Sequence, residues 1–183
     1  MFEVARRTVP ALALLLAACD QPADPSAAGA PAPTLALAAT ATVRFGINEL
    51  GSPFPPQAGH DHSSTAADML VPQTVVIARG GSVTFRIDEV HQAAVYRPGI
   101  LPGDIRVDGT TLEDADLGFG IVIPQFRIND PNGRLALALP QSLIEHTWTT
   151  PPGTFDAPGR YLVICTSAPH FVLNRMYGWV IVR

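Results

Sequence analysis

Val75-Val76-Ile77-Ala78-Arg79-Gly80-Gly81-Ser82-Val83-Thr84-Phe85-Arg86-Ile87 decides the fold class. Two runs rich in β-branched and aromatic residues flank a Gly-Gly turn, and Val83, Phe85 and Ile87 alternate with Thr84 and Arg86, as a strand with one buried face requires. Outward from this pair the pattern repeats. Val43–Ile47 precedes it and Gln92–Tyr96 follows, then Ile121–Ile128, Leu135–Leu139, Tyr161–Cys165 and Gly178–Val182, each bounded by Pro, Gly, Asn or Asp. Many short strands separated by turn residues predict an all-β sandwich or barrel. Helix has little support: only Leu112–Leu117 has room for a turn or two, and Glu113-Asp114-Ala115-Asp116 reads as a solvated acidic turn, with docking of a basic partner as the alternative.

The last two strands bracket the chemically richest loop. Alternation along Tyr161-Leu162-Val163-Ile164-Cys165 puts Tyr161, Val163 and Cys165 on one face and Leu162 and Ile164 on the other. Cys165 therefore ends a strand at the rim of the core. The loop that follows, Thr166-Ser167-Ala168-Pro169-His170-Phe171-Val172-Leu173-Asn174-Arg175-Met176, brings an imidazole and a thioether close to that thiol. A thiolate, imidazole nitrogens and a weak axial thioether make the ligand set of a mononuclear blue-copper site, which needs one more histidine. His91, in Asp88-Glu89-Val90-His91-Gln92, is the best candidate. The other reading of Cys165 is a buried cysteine packed as a small hydrophobe. Pro169 and Phe171, beside His170, read either as an apolar collar around the imidazole edge or as simple loop packing.

The first eighteen residues read as a secretory signal. Arg6 and Arg7 supply a positive start, and Val9–Ala18 is an apolar run too short to span a bilayer. Arg6-Arg7 also hints at twin-arginine export, but Thr8-Val9-Pro10 continues it poorly. Leu16-Ala17-Ala18-Cys19 resembles a lipobox, in which cleavage before Cys19 leaves that residue as the lipidated terminus; the other reading is an ordinary signal with Cys19 incidental. Only two cysteines occur, so if Cys19 is modified, Cys165 has no disulfide partner. Residues 19–40 are dominated by Ala and Pro and lack spaced large hydrophobes. They read as a tether reaching tens of ångströms at most, at roughly 3 Å per residue. Residues 41–183 remain as one domain, long enough to bury a core.

The chain carries a formal charge of −4 and no lysine. Loss of the leader removes Arg6, Arg7 and Glu3 and leaves about −5. A mildly acidic chain without a basic run argues against nucleic acid and against anionic lipid as partners. Membrane contact is then expected through a lipid on Cys19 only, in the periplasm or cell envelope.

The histidine, cysteine and methionine pattern resembles the cupredoxin family of small blue-copper proteins, with one early His and a late Cys, His and Met on one loop. His91, Cys165, His170 and Met176 meet it, and Pro158-Gly159-Arg160-Tyr161-Leu162-Val163-Ile164-Cys165 is similar to that family's approach to its copper cysteine. The resemblance covers roughly residues 70–96 and 145–183. It implies a Greek-key β-sandwich or barrel holding one type 1 copper. It implies a monomeric, exported carrier of single electrons between redox protein partners, with no substrate transformed and so no enzyme. Two features depart from the pattern. Five residues separate His170 from Met176, more than is usual, and the long interval from His91 to Cys165 implies insertions between about Arg97 and Pro140, which shape a partner surface or cover the metal.

Multicopper enzymes resemble a His-Cys pair at the copper cysteine, whereas Ile164 and Thr166 flank Cys165. Two rivals stand beside the carrier: a periplasmic copper-binding or delivery protein without an electron-transfer role, and a metal-free scaffold for adhesion or assembly. In the first, His60-Asp61-His62 serves as a second metal site; its other reading is a solvated loop. His146, in Glu145-His146-Thr147-Trp148, reads as a surface strand residue.

Overall fold

A computed structural model describes residues 36–46, 69–87, 91–116, 122–139 and 145–183. The leader, Cys19, most of the tether, and His60 and His62 lie outside the described residues. Among those described, no helix is long and apolar enough to cross a membrane.

Among the described residues, eleven strands and one short helix follow in chain order: β1 Thr40–Phe45, β2 Leu70–Val71, β3 Thr74–Ile77, β4 Ser82–Ile87, β5 Ala93–Tyr96, β6 Thr110–Asp116, β7 Val122–Ile128, β8 Arg134–Leu137, β9 His146–Thr149, β10 Gly159–Cys165, α1 Ala168–Val172 and β11 Tyr177–Val182. One sheet runs β2-β1-β4-β9 and the other β3-β11-β10-β5-β8, while β6 and β7 form a separate hairpin. In chain order the strands change sheet between β2 and β3, between β3 and β4, between β4 and β5, between β8 and β9, and between β9 and β10. The outcome is the expected Greek-key-type sandwich, and it does not close into a barrel.

The alternation read from sequence is the alternation built. Val83, Phe85 and Ile87 of β4, with Val43 and Phe45 of β1, face Val75, Ile77, Val95, Tyr161, Val163, Val180 and Val182 of the other sheet in one buried cluster. Phe45 meets Phe85 edge to face with ring centroids 5.9 Å apart. Such pairs add about 0.5–1.5 kcal/mol beyond the area they bury. Tyr161, the aromatic expected on the approach to Cys165, donates its hydroxyl to Ala157 O at 2.7 Å and packs edge-on against Phe155, 5.0 Å between centroids. This fixes the turn that launches β10.

The second sheet is buried on its other face as well. Leu162 and Ile164, turned away from the main core, pack with Ala94, Tyr96, Ile105, Ile128 and Phe171. The segment between β5 and β8 and helix α1 supply that cover. Two short 3-10 turns, Pro102–Asp104 and Val107–Gly109, lead into the hairpin, and Ile128 of β7 joins this second core. Tyr96 donates its hydroxyl to Asp130 O at 3.1 Å, and burial pushes its pKa up to about 12. A tyrosine so raised contributes stability that is fully present below the ordinary value of about 10 and is lost as pH rises through its folded value. Denaturant midpoints of the parent are therefore expected to fall between pH 10 and 12, and those of Tyr96→Phe to fall less over the same interval.

Leu112–Leu117 is corrected by the structure: residues 110–116 form β6, not a helical turn, and Glu113 and Asp114 sit in that strand, not in an acidic turn. Pairing with β7 explains it, with Thr110 opposite Ile128, Leu112 opposite Phe126 and Glu113 opposite Gln125. His146 is in a strand, as expected, though half-buried rather than on the open surface.

Candidate metal centre

Cys165 is the last residue of β10 and pairs with Ala93, two residues after His91. Register alone therefore brings His91 beside the thiol across 74 positions of sequence. A buried polar clamp holds that register. Thr166 N donates to Gln92 O at 2.9 Å, the Thr166 hydroxyl donates to Gln92 Oε1 at 2.6 Å, and Gln92 Nε2 donates to Ala138 O at 3.3 Å. Thr166 is wholly buried and Gln92 nearly so, so each bond satisfies a group that would otherwise be stranded in the core.

The loop after Cys165 closes on itself to return the other donors. Phe171 N donates to Ser167 O at 3.0 Å and Leu173 N to Pro169 O at 2.8 Å, forming the single turn of α1 that carries His170 inward. Met176 N then donates to His170 O at 3.0 Å, and Cys165 N donates to Met176 O at 3.0 Å. Backbone bonds thus tie Cys165, His170 and Met176 into one closed loop, and the extra residues noted before Met176 are absorbed by α1 and the reversal after it. Arg175 makes that reversal with φ of 54°, a conformation that disfavours residues bearing a Cβ. Arg175→Gly is expected to stabilise the protein by up to about 1 kcal/mol, and Arg175→Val to destabilise it, as read by thermal unfolding.

Three donor atoms converge. Cys165 Sγ lies 3.7 Å from His91 Nδ1 and 3.8 Å from His170 Nδ1, and the two Nδ1 atoms are 3.0 Å apart. The imidazole rings are tilted at 57° with centroids 4.7 Å apart. Cys165 is fully buried and His91 nearly so, while His170 keeps about 9 % of its surface exposed and is the ligand candidate nearest solvent. Met176 is buried in the same core cluster as Cys165. Among the described residues, His91, Cys165 and His170 form the one group of three such side chains whose donor atoms come this close.

That arrangement fits a metal. Three lone-pair donors aimed at one point repel one another unless a proton or a cation lies among them. Donor bonds of about 2.0–2.3 Å in a trigonal set separate sulfur from nitrogen by about 3.8 Å, and the two observed distances match. The nitrogen pair is tighter than the roughly 3.5 Å of that geometry, so a small parting of the rings completes it.

Gly46 is a contributor that sequence reading missed. It follows β1 with φ of 82°, and a Cβ built there would stand 2.6 Å from His91 Nε2 and closer still to Cδ2. Gly46 and Phe45, whose ring meets His91 edge to face at 6.3 Å, form the wall that turns His91 Nδ1 toward the sulfur. Only a glycine inside the expected strand Val43–Ile47, where a close approach of another group is one reading, hinted at it. Outside the donors, Val107, Thr110, Phe126, Ala168, Pro169, Val172 and Leu173 line an apolar groove of about 340 Å³ beside the helix that bears His170. Phe126 and Leu173 are largely exposed there, while Phe171 turns inward to the second core, so the apolar rim is built by its neighbours rather than by Phe171.

No protein-family model and no curated protein sequence matches the chain. Solved structures similar to it include an auracyanin from Roseiflexus castenholzii (16 % identity, 80 % of this chain and 98 % of that one, TM-score 0.45). A purple cupredoxin from Nitrosopumilus maritimus is also similar (16 % identity, 78 % and 99 %, TM-score 0.38). So is a plastocyanin from Dryopteris crassirhizoma (18 % identity, 78 % and 99 %, TM-score 0.37).

Proposed function

We propose that this protein is a blue-copper electron carrier, with His91, Cys165 and His170 as the strong ligands of one copper ion and Met176 as the weak axial one. The observation that supports it is the convergence of one sulfur and two imidazole nitrogens, all within 3.8 Å of one another, at the end of a sandwich core. Copper held there supplies a one-electron couple. The chain's own residues supply the rest. A thiolate and two neutral imidazoles suit cuprous and cupric copper about equally, and ligands fixed by two strands and a hydrogen-bonded loop need move little between the two states. Burial of Cys165 and His91 keeps solvent from the centre, and His170 at the rim offers the shortest way out for an electron.

The apolar groove beside His170 is the face for a redox protein partner, since a smooth apolar contact allows brief docking without a buried charge left unpaired. Export, a lipid on Cys19 and a tether over residues 19–40 belong to the same reading and rest on the sequence pattern; they place a monomeric carrier at a membrane surface in the periplasm or cell envelope.

Titration of the purified protein with copper(II) tests the reading. One equivalent is expected to bring an intense visible band that saturates, with a reversible one-electron wave in voltammetry. Tight cuprous binding without a reversible wave would favour copper delivery instead, and a colourless protein indifferent to the metal would leave only a scaffold.

A further inference from the structure

Arg127, on β7, is 2 % exposed, and arginine seldom goes so deep without a negative partner. Its backbone stands opposite Ser167 in an isolated antiparallel bridge, and the next amide, Ile128 N, donates to Thr166 O at 2.7 Å. The inserted hairpin thus runs alongside the two residues that leave Cys165. The guanidinium lies within electrostatic reach of Cys165 and of Glu113 across the hairpin; burial works against its charge, and these two groups favour it. Arginine stays charged in proteins, so this is a permanent buried cation on a strand whose backbone lies against Thr166 and Ser167, the two residues after the sulfur.

Resting on the copper assignment above, we propose that Arg127 is a positioning charge that raises the reduction potential of the centre. Reduction adds one electron, taken from a partner protein or an electrode, and lowers the charge of the centre by one. A fixed positive charge nearby disfavours the more positive oxidised state more strongly than the reduced one, and the equilibrium moves toward reduction. Because the charge is buried, added salt screens it little. The insertion that supplies β6 and β7 thereby tunes the electron affinity of the centre as well as covering the outer face of the sheet.

The test uses the full chain loaded with one equivalent of copper(II) and read by absorption and voltammetry. Arg127→Gln is expected to keep the visible band while its equilibrium constant for reduction falls about tenfold, which is about 59 mV for a one-electron couple. Arg127→Lys is expected to restore most of the loss, and the difference is expected to persist at high ionic strength. Parent-like potential in a blue Arg127→Gln protein overturns the proposal and leaves the copper assignment intact; so does an equal fall in the Gln and Lys variants, which would mark a packing effect. If Arg127→Gln does not fold, Glu113→Gln carries the test: removal of this opposing, exposed charge should raise the potential at low salt, and no change or a fall overturns the idea. A parent protein that takes up no copper defeats the assignment and the proposal together.

Discussion

Replacing Cys165 by Ser is expected to abolish the intense visible absorption of the copper-loaded protein and to leave the sandwich folded. The band needs a thiolate bound to the metal, and this is the sulfur on which both histidine nitrogens converge. A serine hydroxyl keeps its proton near neutral pH and is a poor, hard ligand for copper, so the electronic transition goes with the sulfur. The fold is expected to survive because the substitution is nearly isosteric at a fully buried position. The new hydroxyl has two imidazole nitrogens close by, so the usual cost of about 1–3 kcal/mol for a stranded buried polar group is largely avoided. Far-ultraviolet circular dichroism and the thermal midpoint report the fold; the visible spectrum reports the site. A band unchanged in this variant would refute the ligand assignment.

Gly46→Ala is expected to weaken copper binding by about 10–100-fold, the range found when groups that orient metal ligands are changed. A methyl group at this position occupies space the His91 ring already fills, 2.6 Å from Nε2, so the imidazole must swing and its Nδ1 leave the common point. The backbone adds a penalty of about 1–2 kcal/mol for a Cβ in the left-handed region. Gly80→Ala separates the two effects. Gly80 has nearly the same φ, 75°, yet nothing within 4 Å of an added Cβ. It should lower the thermal midpoint comparably and leave copper affinity at the parent value. Equal affinity in the Gly46 and Gly80 variants would show that His91 is not held by that contact.

The parts of this fold legible in sequence are those where one physical rule acts alone. Alternation along Val83–Ile87 and Tyr161–Cys165 named the core faces, because a residue at the interface of two sheets has one buried direction and one other. The donor trio was legible because Cys165 and His170 share a loop and His91 offered the remaining imidazole. The outer face of β10 escaped: Leu162 and Ile164 are as buried as their neighbours, and the cover comes from Ile105 and Ile128, distant in sequence, and from Phe171 in the following loop, in no repeating pattern. β6 escaped for a related reason. Glu113 and Asp114 make its composition that of a turn, and what makes it a strand is the hydrogen-bonded pairing with β7, which exposes Leu112 and Phe126 rather than burying them. Gly46 and the Gln92–Thr166 clamp belong to the same class. Their roles arise from register between segments far apart in sequence, and no single segment states it.

The ligand set is tested most directly by X-ray absorption at the copper edge on the full protein carrying one equivalent of metal. A shell of one sulfur and two imidazole nitrogens, with the short sulfur lost in Cys165→Ser and one imidazole lost in His91→Ala, is the predicted result. A parent spectrum containing only oxygen and nitrogen neighbours would contradict the claim that Cys165, His91 and His170 meet at a copper ion.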